Sequence, residues 1–137
     1  MIRELHQKLL NREVTATELV ERYFSVVEEK DEDIQAYLSL HKEEALTEAR
    51  LVDEAIARGE TIDLLAGIPG AIKDNMLIRG TRTTSGSKVL DNYIAPYSAT
   101  VIEKLKAVHA PMLGKTNMDE FALGSSTEMS AYQVTKN

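Results

Sequence analysis

The second half of this chain twice runs a short apolar stretch into glycine or lysine, in Gly67-Ile-Pro-Gly-Ala-Ile-Lys-Asp-Asn75 and in Ala110-Pro-Met-Leu-Gly-Lys-Thr116. Apolar runs of about four or five residues are too short for helices and fit strands buried in a sheet. The pattern predicts strands over Ile68–Ile72 and Ala110–Leu113, with Pro69 near the start of the first, where a missing N–H costs least. The stretch Ala36–Leu40 is short and partly alternating, and it reads as a further strand. Between these strands the apolar residues recur at helical spacing. Helices alternating with short strands predict an α/β layered core.

The helices are read from their faces and their ends. Ile2, Leu5 and Leu9 share one face of an opening helix. Thr15-Ala-Thr-Glu18 has the form of a capping box, in which the Thr15 hydroxyl and the Glu18 carboxylate satisfy free N–H groups. Behind it Leu19, Val20, Tyr23, Phe24, Val26 and Val27 form a stripe that the acidic run Glu28–Asp33 interrupts. Lys42–Arg58 reads as a second long helix with Ala45, Leu46, Ala49, Val52 and Ile56 inward. Glu54 and Arg58 make an i,i+4 pair on it, and Gly59 stands where a left-handed cap belongs. Thr100–Glu103 offers another capping box, for a helix with Val101, Ile102, Leu105 and Val108 on one face. Met118–Leu123 reads as a short helix, and Gly80–Ser87 as a loop. No repeat, low-complexity tract or linker marks an internal boundary, so residues 1–137 are read as one unit.

Composition narrows the function classes. The chain is 43% apolar and 28% charged, an ordinary globular balance. No apolar run approaches the ~20 residues needed to span a bilayer, so no membrane association is expected. Cysteine is absent, which excludes disulfides and thiolate metal sites and fits a reducing, cytoplasmic setting. No metal site is expected. Residues 1–60 hold 15 acidic against 8 basic residues, and residues 61–137 hold 7 against 8. The acidic first half reads as solvated helix faces, and without clustered Lys/Arg the chain offers no surface for nucleic-acid phosphates.

Two groups of residues imitate functional sites. Gly114-Lys-Thr116 resembles the end of a phosphate-binding loop, but that pattern needs glycine where His109 stands and free N–H groups where Pro111 supplies none. ATP is therefore not expected at this segment. His6 and His41 fall on polar helix surfaces. His109 follows a helix, at a position where left-handed backbone suits glycine but tolerates histidine better than most residues.

Lys73 is the candidate for chemistry. A lysine at the end of an apolar run can lose its proton on desolvation, and a neutral amine beside serines can act as a base for nucleophilic attack. The bland alternative is a surface charge or an ion pair with Asp74. Together with Lys73, the blocks Gly80-Thr-Arg-Thr-Thr-Ser-Gly-Ser87, Ala95-Pro-Tyr-Ser-Ala-Thr100 and Gly114-Lys-Thr-Asn-Met-Asp-Glu-Phe-Ala-Leu-Gly-Ser-Ser-Thr127 resemble the amidase signature family in order and spacing. The resemblance runs to Asn137, covers only the N-terminal part of a family member, and lies with the branch formed by the A subunits of glutamyl-tRNA(Gln)/aspartyl-tRNA(Asn) amidotransferases.

That resemblance implies a partial amidase signature fold, a mixed sheet covered by helices. It implies an L-glutamine amidohydrolase that supplies ammonia for converting Glu-tRNA(Gln) to Gln-tRNA(Gln). A partner B subunit would use ATP and Mg and hold the tRNA, and a C subunit would brace the pair; the chain itself would carry no cofactor. Lys73 matches the family's catalytic lysine, which acts neutral through a bridging serine on a nucleophilic serine. An apolar wall such as Ile68 and Ile72 would keep it so. Both serines would lie beyond Asn137, so the chain alone is expected to be inactive. Gly124 and Ser125 match the substrate-pocket loop, against the plain alternative of a turn with capping hydroxyls. Met129 departs from the family's usual asparagine, and His109 from its usual glycine. Arg79, Arg82 and Ser85 are candidates to flank the site. The rival readings are a stand-alone amidase of another amide and a non-catalytic assembly or binding piece.

Overall fold

Three short strands form one sheet in the order β1 (Tyr37–Leu40), β3 (Met112–Thr116), β2 (Gly70–Lys73) in the computed structural model, which describes residues Met1–Asn137. β1 pairs with β3 antiparallel. The N–H groups of Gly70 and Asp74 bond to the carbonyls of Pro111 and Thr116, advancing together along both segments, so β2 runs parallel to β3 and the sheet is mixed. The helices are α1 (Ile2–Leu10), α2 (Ala16–Ile34), α3 (Lys42–Ala57) and α4 (Thr100–Ala107), with 3₁₀ turns at Lys88–Leu90 and Glu120–Ala122. No helix is long and apolar enough to cross a membrane.

Several ends form as their residues dictate. The Thr15 hydroxyl accepts from the Glu18 N–H at 3.0 Å while the Glu18 carboxylate accepts from the Thr15 N–H at 2.8 Å, closing the expected capping box. Asp53 of α3 adds a second cap, accepting from the N–H groups of Ala16 and Thr17 at 2.7 and 3.0 Å. A carboxylate there also meets the positive end of the helix dipole. Gly59 takes the left-handed conformation read for it, with φ +75°.

Other expectations shift. α2 continues through the acidic run to Ile34, because Glu is a good helix former and these side chains face water. Asp31 then turns the chain, accepting from the N–H groups of Ala36 and Tyr37. Tyr23 and Val26 are exposed, and only Leu19, Val20 and Phe24 of that stripe are buried. β2 begins at Gly70, since Ile68 donates its N–H to Leu65 in a turn and Pro69 has none to give. α4 starts at Thr100 itself, with the Ala99 carbonyl accepting from Ile102 and Glu103. The segment 118–123 holds only a 3₁₀ turn, in which Phe121 and Ala122 have positive φ.

The chain forms two compact units, each drawn from three stretches. The first (1–27, 41–70, 104–113) has an apolar core that includes Leu9, Val20, Phe24, Ala49 and Val52. The second (28–40, 71–103, 114–137) buries Asp74, Thr83, Thr84, Ser87, Lys115, Asn117 and Asp119. Every buried polar side chain of the protein therefore lies in the second unit, where burial must be matched by hydrogen bonds.

Gly114 shows how closely β1 and β3 approach. A Cβ there would stand 2.2 Å from the Ser39 carbonyl oxygen, whereas one at Gly70 would meet nothing within 4 Å. Gly114→Ala is expected to destabilise the chain by about 2 kcal/mol or more, and Gly70→Ala to stay within about 0.5 kcal/mol. Denaturant unfolding of both variants checks the contrast.

Candidate active site

Lys73 ends β2, and successive residues of a strand face opposite sides of a sheet. Ile72 is buried and Lys73 is exposed. Ile72 therefore cannot wall the lysine, and Ile68 lies before the strand, so the expected apolar wall is absent on this face. Asp74 does not pair with Lys73 either. Its carboxylate is buried and bonded to Lys115, whose Nζ donates to Asp74 Oδ1 at 2.9 Å and to the Thr83 hydroxyl at 3.1 Å. The other carboxylate oxygen accepts from the Thr84 N–H at 2.9 Å and from the Thr84 hydroxyl. The Asp74 N–H donates to Thr116, and the Asp74 carbonyl accepts from Ser85. The residue after the lysine is thus fixed through both its side chain and its backbone. Burial pushes the Lys115 ammonium below its ordinary value, and the bond from Asp74 opposes that shift.

The Gly124–Met129 segment is organised by Asp119. One oxygen of this buried carboxylate accepts from the N–H groups of Ser126 and Thr127 at 2.9 and 3.0 Å, the other from Met129 at 2.8 Å. These bonds, with those of Met129 and Thr127 first, hold the Asp119 carboxyl below the usual carboxylate range, and the charge of nearby Lys73 acts in the same direction. Gly124 lies against this carboxylate, where a Cβ would stand 2.7 Å from Asp119 Cγ. Gly124 and Ser125 are exposed beside it, in the same unit as Lys73. The Ser126 hydroxyl bonds to Glu128. The segment is a loop tied down by Asp119, with the Thr127 hydroxyl accepting from the Thr135 N–H at 2.8 Å as a capping hydroxyl would.

The remaining candidates have structural partners. Arg79 Nε donates to the Pro96 carbonyl at 3.1 Å. Arg82 pairs with Asp91 at 2.8 Å and lies over the Tyr132 ring, whose hydroxyl donates to the same carboxylate. Ser85 takes positive φ and accepts from the Phe121 N–H. His109 has the positive φ read for it and places Nδ1 2.7 Å from Glu48. The Gly114-Lys115-Thr116 triplet lies in β3, with the lysine amine fully buried on Asp74, so these residues do not fit a phosphate. No group of three or more His, Asp or Glu side chains could hold a metal ion.

Sequence reasoning missed the Asp74–Lys115 pair and the role of Asp119. The first had a signal: a lysine inside a buried strand demands an acid partner. The second had none, because Asp119 acts on a loop whose conformation the sequence leaves open.

Residues 18–137 match the amidase family model. The chain is 51% identical over 136 residues to the A subunit of the glutamyl-tRNA(Gln) amidotransferase of Cyanothece sp., a match covering 99% of this chain and 28% of that protein. It superimposes with TM-score 0.93 and 34% identity on a structure described as a vestigial protein complex that reveals the origins of an s-triazine catabolic enzyme, covering 98% of this chain and 30% of that one. Against the A subunit of the Thermotoga maritima glutamyl-tRNA(Gln) amidotransferase the TM-score is 0.68 at 34% identity, covering 89% of this chain and 24% of that one. The chain spans little more than a quarter of the length of such curated relatives.

Lys115→Met leaves Asp74 buried and unpaired and is expected to cost about 3–5 kcal/mol. Combined with Asp74→Asn, the total should fall short of the summed single effects by about 1 kcal/mol or more in a double-mutant cycle of unfolding free energies. For Asp119 the folded value lies below the unfolded one. Its contribution is therefore complete above about pH 4 and lost as pH falls through the lower folded value. The gap in melting temperature between the native chain and Asp119→Asn should shrink as pH is lowered from 6 to the acid limit of folding.

Proposed function

The chain belongs to the amidase family, and we propose that it is the lysine-bearing N-terminal portion of a glutamyl-tRNA(Gln) amidotransferase A subunit. The observation that carries the reading is the placement of Lys73. It is exposed at a strand end whose next residue is locked by a buried ion pair, in the same unit as the Gly124–Ser125 loop. Identity of about half to subunits of that name supports the choice among amidases.

In this reading the substrate is L-glutamine. The Lys73 amine takes a proton, through a bridging serine, from the serine hydroxyl that attacks the side-chain amide. A C–O bond forms, the C–N bond breaks, and the proton returns to the departing nitrogen as ammonia leaves. Water then cleaves the ester and releases glutamate. Both serines belong to parts of the protein that no residue of this chain matches, so the chain alone releases no ammonia. Gly124 and Ser125 border the amide pocket. A B subunit receives the ammonia and activates Glu-tRNA(Gln) with ATP and Mg, a C subunit braces the pair, and the assembly works in the cytoplasm. The chain itself holds no cofactor.

The test is ammonia release from L-glutamine by the complete subunit with its partners. Lys73→Ala should lower the rate by about a thousandfold or more. In the 137-residue chain the side chain is exposed, so there Lys73→Ala should move the unfolding free energy by no more than about 0.5 kcal/mol. Retained hydrolysis overturns the assignment, as would turnover by the isolated chain.

A further inference from the structure

The Gly124–Met129 loop carries exposed groups on a buried anchor. Asp119 is 3% exposed and spends both carboxylate oxygens on the N–H groups of Ser126, Thr127 and Met129. The remaining bonds close the loop on itself: Ser130 N–H to the Thr127 carbonyl, Glu120 N–H to the Met129 carbonyl, and Thr135 N–H to the Thr127 hydroxyl. Thr127 is held at φ +65°, a conformation that L side chains rarely adopt and that persists only when its surroundings enforce it. Gly124 lies directly against the anchor, leaving no room for a side chain. Asp119 thus fixes Ser126, Thr127 and Met129 by hydrogen bonds and abuts Gly124, which anchors the exposed Gly124–Ser125 backbone from both sides.

We propose that Asp119 is a positioning residue for amide-substrate binding, holding Gly124 and Ser125 in place through its three N–H bonds while touching no substrate itself. The inference rests on the reading above, in which Gly124 and Ser125 border the amide pocket. A loop held before the substrate arrives has less freedom to lose on binding. Freeing it should therefore weaken binding more than it slows bond breaking. Asparagine can replace only part of the acceptor set, because its NH₂ group cannot accept from a backbone N–H. Glutamate keeps the charge and both oxygens on a longer arm.

Glutaminase kinetics of the complete subunit with its partners test this. Asp119→Asn should raise KM for L-glutamine about tenfold or more while kcat stays within about threefold, and Asp119→Glu should recover part of the loss. If Asp119→Asn does not fold, Asp119→Glu decides the matter by the same split, a raised KM supporting the inference and an unchanged KM overturning it. An unchanged KM in the folded variants overturns the inference. A fall in kcat at constant KM does so too, since it would place Asp119 in the proton transfer. Either result leaves the assignment of Lys73 standing if Lys73→Ala is inactive. Hydrolysis retained by Lys73→Ala would instead remove the reading on which the inference rests.

Discussion

The buried pair between Lys115 and Asp74 is the interaction on which the rest of the second unit depends. Two charges withdrawn from water are costly unless every polar atom is matched. Here Thr83 and Thr84 complete the match, so the loop after β2 is drawn into the same cluster as β3. Asp74 is also the neighbour of Lys73. Whatever holds Asp74 in register therefore fixes the end of the strand from which the exposed lysine projects. The pair contributes position more than net stability, since replacing both partners of a buried pair can be nearly neutral while removing one is not.

The same constraint explains why Gly114-Lys115-Thr116 is scaffold. The glycine is there because β1 approaches within van der Waals contact, and the lysine is there to neutralise Asp74. Neither the backbone nor the amine is left to receive a phosphate. The second unit collects side chains at positive φ, namely Gln35, Ser85, Phe121, Ala122 and Thr127. Such positions persist where surrounding bonds over-determine them, and those bonds are visible: Phe121 N–H to the Ser85 carbonyl, and the Asp119 carboxylate to the loop beyond.

Much of the helical frame is legible in the sequence, because a helix advertises both its buried face and its ends. The Thr15–Glu18 box, the α3 stripe and the Gly59 cap each depend on residues within one or two turns. The strands are legible as short apolar runs, but their limits are not, since Pro69 and the turn before it move the start of β2 to Gly70. The course of α2 through Glu28–Asp33 escapes the sequence reading because a run of charge imitates a break, whereas glutamates on a solvated face continue a helix. At the site, Lys73 is legible as a candidate. Its surroundings are not, because Asp74, Lys115 and Asp119 find partners far along the chain or in irregular backbone. Of the expected wall, Ile72 fails on the alternation of side chains along a strand, and Ile68 lies before the strand begins.

These observations support the proposal that β2 presents Lys73 to a serine from a fixed position in the same unit as the Gly124–Ser125 loop. A crystal structure of the complete protein with its partners and a bound glutamine-derived acyl group tests it most directly. Lys73 Nζ should lie about 2.6–3.2 Å from a serine hydroxyl, with the Asp74–Lys115 and Asp119 bonds intact and the bound group against Gly124 and Ser125. A lysine amine turned to solvent, with the acyl group bound away from that loop, would contradict it.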